Sequence, residues 1–147
     1  FPETKETRLT LELMVPKQER SGDPMEIDVR STFGASRPVQ LRLRPDGTLL
    51  AVSAGGGTTE AGSAPAGQWI KVRIDADAGA GTYSLTVNGR PAVLNAPFVE
   101  EAANLQRIVF RTGAYRGIGG QKYIVVETDR PNALPTSYFV RGVATGR

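Results

Sequence analysis

The sequence predicts an all-β fold, an antiparallel sandwich of two packed sheets, and three observations carry that prediction. Apolar and polar residues alternate with period two in one short segment after another. The segments recur at spacings of roughly 10 residues, with Gly, Pro, Asn and Asp clustered between them. No segment has helical periodicity over a helical length.

The clearest stretch runs from Gly67 to Val93. Ile70, Val72 and Ile74 alternate with Trp69, Lys71 and Arg73; after a Gly/Ala/Asp turn, Tyr83, Leu85 and Val87 alternate with Ser84 and Thr86. Asn88-Gly89 then gives the strongest short hairpin signal, because both central residues of the favoured turn need positive φ. A third strand follows.

The remaining elements fall in order. Thr7, Leu9, Leu11, Leu13 and Val15 alternate with Arg8, Thr10, Glu12 and Met14 and predict a first strand, closed by Pro16. Met25, Ile27 and Val29 predict a second, set against Glu26, Asp28 and Arg30. Ser31 to Arg37 reads as a loop. Val39, Leu41 and Leu43 predict a third strand against Gln40, Arg42 and Arg44; the turn Pro45-Asp46-Gly47 leads to a fourth, Thr48 to Val52. Ser53 to Ala66, rich in Gly, Ser and Ala, reads as a mobile surface loop. Pro97 to Leu105 reads as a connection with one helical turn around Glu100–Ala103. Ile108 and Phe110 mark a further strand, followed by a Gly-rich loop from Arg111, a strand at Tyr123 to Val126, a turn-rich link from Asp129 to Pro135, and a last strand, Ser137 to Val143.

Length fits one domain over residues 1–147. No apolar run approaches the roughly 20 residues that span a bilayer. The chain begins at Phe1, the expectation for a mature or trimmed piece of a longer chain. It has no Cys and no His, which excludes disulfides, thiolate metal sites and any Ser-His-Asp or Cys-His arrangement. Net charge is only +3, yet 14 Arg stand against 4 Lys. Arginine forks pair bidentately with carboxylate, sulfate or phosphate, so an anionic partner is one reading and a dispersed solvated surface the other. There is no basic run or recognition helix of a nucleic-acid binder.

The pattern Trp69-x-x-Val72-x-Ile74, then Gly81-x-Tyr83-x-Leu85-x-Val87-Asn88-Gly89, then Ile108-x-Phe110-Arg111-Thr112-Gly113, resembles the concanavalin A-like lectin/glucanase superfamily, and most of all its laminin G-like branch. The resemblance covers about Leu9 to Val143. It implies a jelly roll, and a place as an accessory domain of a secreted, periplasmic or surface bacterial protein active on polysaccharides, beside a catalytic domain.

Four groups of residues are candidates for chemistry. Glu26 and Asp28 match the start of the carboxylate motif of the resembling glucanases, but its final carboxylate is missing, which argues against catalysis by this domain; the alternative places them as outward residues paired with Arg42 and Arg44 of the neighbouring strand. Trp69, Lys71 and Arg73, with Gln40, Arg42 and Arg44, form one polar, aromatic face if their strands share a sheet, able to stack a sugar and hold its carboxylates. The other reading of Trp69 is a core residue folded over a sheet edge, the buried position it has in the resembling domains. Arg111, Tyr115 and Arg116, near Lys122 and Tyr123, surround the Gly-rich loop. Asp75 and Asp77, with Glu60, are candidate ligands for a structural calcium, which the resemblance makes a reasonable expectation; otherwise no cofactor is expected. The expected function is non-catalytic binding of a polysaccharide, an acidic one by the arginine argument. A glycosidase or lyase of the same fold, and a spacer without ligand, are the alternatives.

Overall fold

The computed structural model describes residues 1–17, 22–112 and 136–146. Ten strands occur among them: β1 (Glu6–Met14), β2 (Met25–Arg30), β3 (Val39–Leu43), β4 (Thr48–Val52), β5 (Thr58–Ser63), β6 (Trp69–Asp77), β7 (Thr82–Val87), β8 (Arg90–Pro97), β9 (Arg107–Thr112) and β10 (Phe139–Gly146). They form two five-stranded antiparallel sheets, ordered β10-β1-β6-β7-β8 and β5-β4-β3-β2-β9. The alternating aliphatics of both sheets face each other as the core: Leu9, Leu11 and Leu13 of β1, Ile70, Val72 and Ile74 of β6, and Leu85 of β7 meet Ile27 and Val29 of β2 and Leu41 and Leu43 of β3. Each such side chain, fully buried, stabilises the fold by about 1.5–3 kcal/mol.

Turn chemistry follows the sequence. Asn88 and Gly89 both have positive φ, 49° and 78°, and join β7 to β8. The Asn88 carboxamide oxygen accepts from the Lys71 N–H at 2.9 Å, which ties the hairpin tip to β6.

Three expectations are corrected. The stretch from Ser53 to Ala66 is not all loop, since β5 lies within it and pairs with β4. β5 has no aliphatic period; it is held by its ladder to β4, and Gly62 lets its backbone approach Val87 of the other sheet, where a Cβ would come within 2.7 Å of the Val87 Cγ1. The segment around Glu100 makes no helical turn. Its Glu100 carboxylate instead accepts from the Arg37 N–H at 2.7 Å and the Arg37 guanidinium at 3.0 Å, pinning an irregular link. The loop from Ser31 does contain a short 3-10 turn, Thr32–Gly34, in which Phe33 has φ 58° and is 82% exposed. The strand expected at Tyr123 to Val126 lies outside the described residues. No helix among the described residues is long and apolar enough to cross a membrane.

Tyr138, just ahead of β10, donates its hydroxyl to the Asp23 carbonyl at 2.6 Å. Burial pushes its pKa up to about 12. An unfolded tyrosine ionises near pH 10. Between about pH 10 and 12 the unfolded chain releases this proton while the folded chain keeps it. The contribution is therefore fully present below pH 10 and is lost as pH rises toward 12. Burial raises Tyr83 in the same direction. Tyr138→Phe should flatten part of the alkaline fall in stability, measured by urea unfolding from pH 9 to 12; an unchanged slope would remove Tyr138 from that account.

Candidate functional site

The outer face of the first sheet is a set of cross-strand rows fixed by register. Phe139, Met14 and Trp69 form the first, on β10, β1 and β6; Arg141, Glu12 and Lys71 form the second; Thr10, Arg73 and Thr86 form the third. Two further rows, Arg8–Asp75–Ser84 and Glu6–Asp77–Thr82, complete the face.

Trp69 lies on this outer face, half-buried, and is not part of the core. The Arg141 guanidinium sits 3.9 Å from its ring centroid, a cation–π contact. Arg141 Nε also donates to Glu12 at 2.7 Å. That hydrogen bond, more than any other influence, holds the Glu12 carboxyl below the usual carboxylate range, against the opposing effect of burial. Arg73 Nε donates to Asp75 at 2.9 Å, and Arg8 Nε donates to the other Asp75 oxygen at 2.6 Å. Lys71, Arg73 and Arg141 thus stand against Glu12 and the Asp75 carboxylate that Arg73 shares with Arg8, in a net cationic strip that ends in an aromatic pair, Trp69 and Phe139.

The outer face of the second sheet carries a different set. Glu26 pairs across the ladder with Arg42 on one side and Arg111 on the other. Arg42 Nε donates to Glu26 at 3.0 Å, and an Arg111 terminal nitrogen lies 4.0 Å from the second Glu26 oxygen. Asp28 is fully buried; its Oδ2 accepts from Arg30 at 2.9 Å and lies 3.8 Å from Arg111 Nε. Burial draws the Arg111 guanidinium below its ordinary value, and the Asp28 and Glu26 carboxylates act the other way.

The face expected to unite Trp69, Lys71 and Arg73 with Gln40, Arg42 and Arg44 is therefore divided. β6 belongs to one sheet and β3 to the other, so the two halves point away from each other across the core. Gln40 is buried, and donates to the Arg37 carbonyl at 3.1 Å. Arg44 lies past the end of β3, exposed at the turn into β4. Arg42 and Arg111, from two separate candidate groups, instead flank one carboxylate, Glu26. With Glu26 held by Arg42 and Asp28 buried against Arg30, the two form an ion-pair ladder rather than an open pair of carboxylates. Tyr115 and Arg116 lie outside the described residues.

The aspartates considered for calcium do not fit a cation. Both Asp75 oxygens accept from arginines, and Asp77 Oδ1 accepts from the Gly79 and Ala80 N–H groups at 2.7 and 3.0 Å as a turn cap. Calcium takes 6–8 oxygens at about 2.3–2.6 Å. Among the described residues no three carboxylate or other ligating side chains gather in that way. Arg141 escaped the sequence reading, because only the β1–β10 pairing brings it to Trp69; its alternation with Phe139 was the sole local signal.

A family profile described as "Sialidase-like, CBM domain" matches residues 1–122. The chain belongs to this family. Comparison with curated protein sequences gives no match. Among solved structures, this sialidase-like CBM domain is similar to a sialidase with a TM-score of 0.76 at 21% identity, covering 99% of this chain and 14% of that one. It is similar to a mutant of Trypanosoma rangeli sialidase displaying trans-sialidase activity, at 0.60 and 12%, covering 95% of this chain and 20% of that one. It also resembles a tetrameric galectin from the ball sponge Cinachyrella sp., at 0.60 and 12%, covering 99% and 94% of the two chains. At these identities the likeness is one of fold, the jelly-roll sandwich. The sialidase-like CBM domain spans a minor part of the sialidase chains it matches and nearly all of the galectin.

Proposed function

We propose that this domain is a non-catalytic carbohydrate-binding module of a secreted glycan-degrading protein, and that the strip formed by Trp69, Lys71, Arg73 and Arg141 holds a carboxylate-bearing glycan. The observation that carries the reading is the clustering of these four side chains on one outward face of a chain from a carbohydrate-binding family. Arg141 lies over the Trp69 ring with one nitrogen on Glu12, and its other N–H groups can meet a sugar carboxylate. Phe139 and the uncovered surface of Trp69 offer apolar contact to sugar C–H groups. The small share of the sialidase chains that the domain covers supports a neighbouring catalytic domain in the parent chain. Sialylated glycans are the first to test, since the similar structures include sialidases.

The test is affinity electrophoresis against sialylated, uronate-rich and neutral glycans at two salt concentrations. Acidic glycans should be retained, and retention should weaken with salt, because exposed charges are screened. Arg73→Ala should weaken binding roughly tenfold, the order expected for one lost hydrogen bond to a charged group. Trp69→Ala should weaken it by about the same factor and leave the domain folded, because the ring lies outside the core. Binding untouched by both variants would overturn the assignment of the strip. Turnover of a glycan by the pure domain, abolished in Glu26→Gln, would overturn the non-catalytic reading.

A further inference from the structure

A shallow cleft of about 750 Å3 lies at the opposite end of the same sheet face. Its walls include Lys5, just ahead of β1, Arg8 of β1, Asp75 and Asp77 from the end of β6, and Thr82, Ser84 and Asn95 from β7 and β8. Its shape comes from an irregularity. The β7–β8 ladder shifts register between Tyr83 and Leu85 and again between Leu85 and Thr86. Opposite those shifts Asn95 takes φ 47°, a left-handed conformation that asparagine adopts more readily than other non-glycine residues. Its N–H donates to the Ser84 hydroxyl at 3.0 Å. Bulges of this kind concentrate at sheet edges and beside sites, where they re-aim a side chain.

The polar inventory of the cleft is partly unused. The Asn95 carboxamide nitrogen, the Lys5 ammonium, the Thr82 hydroxyl and Asp77 Oδ2 have no hydrogen-bond partner among the described residues. Donors and acceptors are interleaved. The charges are Lys5 and Arg8 against Glu6, Asp75 and Asp77, the reverse of the cationic strip. That balance disfavours a carboxylate, sulfate or phosphate. A row of hydroxyls, each able to donate and accept, matches it.

We propose that this cleft is a second carbohydrate subsite, selective for a neutral saccharide unit, with Asn95, Thr82, Asp77 and Lys5 as its hydrogen-bonding groups. The proposal rests on the carbohydrate-binding reading of the domain but not on the cationic strip.

The test is a titration of the 15N-labelled domain with lactose, cellobiose and maltose, each to 50 mM, with N-acetylneuraminic acid as the acidic probe. At least one neutral disaccharide should shift the amides of Thr82, Ser84 and Asn95, with an affinity that does not change between low and high salt. Asn95→Gly should weaken that binding roughly five- to tenfold, the scale of one hydrogen bond. Glycine accepts the positive φ, so the variant removes the side chain while keeping the backbone. Lys5→Ala, at an exposed position, should weaken it about fivefold by the same reasoning. No shift with any of the three neutral sugars overturns the proposal, as does wild-type binding by both variants. If the acidic probe still shifts residues of the strip, the subsite fails alone; if neither class of probe shifts any amide, the carbohydrate reading fails with it.

Discussion

Asp28→Ala is expected to lower folding stability by about 3 kcal/mol, the lower end of the usual cost of removing one partner of a buried ion pair. Asp28 is fully buried on β2, next to Gln40 on β3 and Val109 on β9. Its Oδ2 faces two guanidinium groups, that of Arg30 at 2.9 Å and that of Arg111 at 3.8 Å. The Arg30 side chain is itself only 6% exposed. Removing the carboxylate leaves positive charge at low dielectric without the anion it faces, and the cost is the desolvation of that charge rather than the worth of one hydrogen bond. The lower end of the range applies because Asp28 Oδ1 has no hydrogen-bond partner. The native carboxylate is therefore stabilised less completely than a fully satisfied one. Guanidinium chloride unfolding of the two proteins, compared at equal m, measures the difference. A loss under 1 kcal/mol would show that the carboxylate does not hold this network together.

How much of this was legible in the sequence depends on the range of the interaction. Period-two aliphatics in β1, β2, β3, β6 and β7 are local, and they mark strands and inward positions directly. The same alternation puts Trp69, Lys71 and Arg73 on one outward face, which the structure retains. Sheet membership is not local. Nothing in the spacing of Arg42 and Arg73 says that β3 and β6 lie in different sheets, because alternation separates inside from outside and says nothing of which layer a strand joins. Arg141 reaches Glu12 across 129 residues of chain, and no local pattern could predict that contact. β5 was hidden for another reason. Its residues, Thr-Thr-Glu-Ala-Gly-Ser, carry no hydrophobic signal, and the strand exists through its ladder to β4 and the close approach of Gly62 to Val87. The buried state of Asp28 runs against the outward position that alternation assigns it: on an outer face, burial depends on what covers the sheet, which the strand's own sequence does not encode.

Gly47→Ala is expected to cost about 3 kcal/mol, and Gly55→Ala only about 1 kcal/mol, although both glycines have φ near +90°. The conformational penalty of a Cβ in the left-handed region is common to both. The surroundings differ. At Gly55 nothing lies within 4 Å of the added atom, whereas at Gly47 it would collide with the Ala64 carbonyl oxygen. That oxygen belongs to backbone and cannot swing away as a side chain would. Moving it disturbs the Ala64 N–H bond to the Gly47 carbonyl at 3.2 Å, and with it the path of the chain leaving β5. The Gly47 N–H also donates to the Arg44 carbonyl at 2.9 Å, and Asp46 Oδ1 accepts from the Thr48 N–H at 2.9 Å, so the turn between β3 and β4 has little freedom to adjust. For a chain of this size 3 kcal/mol corresponds to a fall in Tm of roughly 10 °C. Thermal unfolding of the two variants beside the wild type separates the contributions: the Gly55→Ala loss reports the backbone conformation alone, and the excess in Gly47→Ala reports the contact with Ala64. Equal losses would mean that the strand end yields, and that the close approach of Gly47 to Ala64 does not constrain the β3–β4–β5 edge.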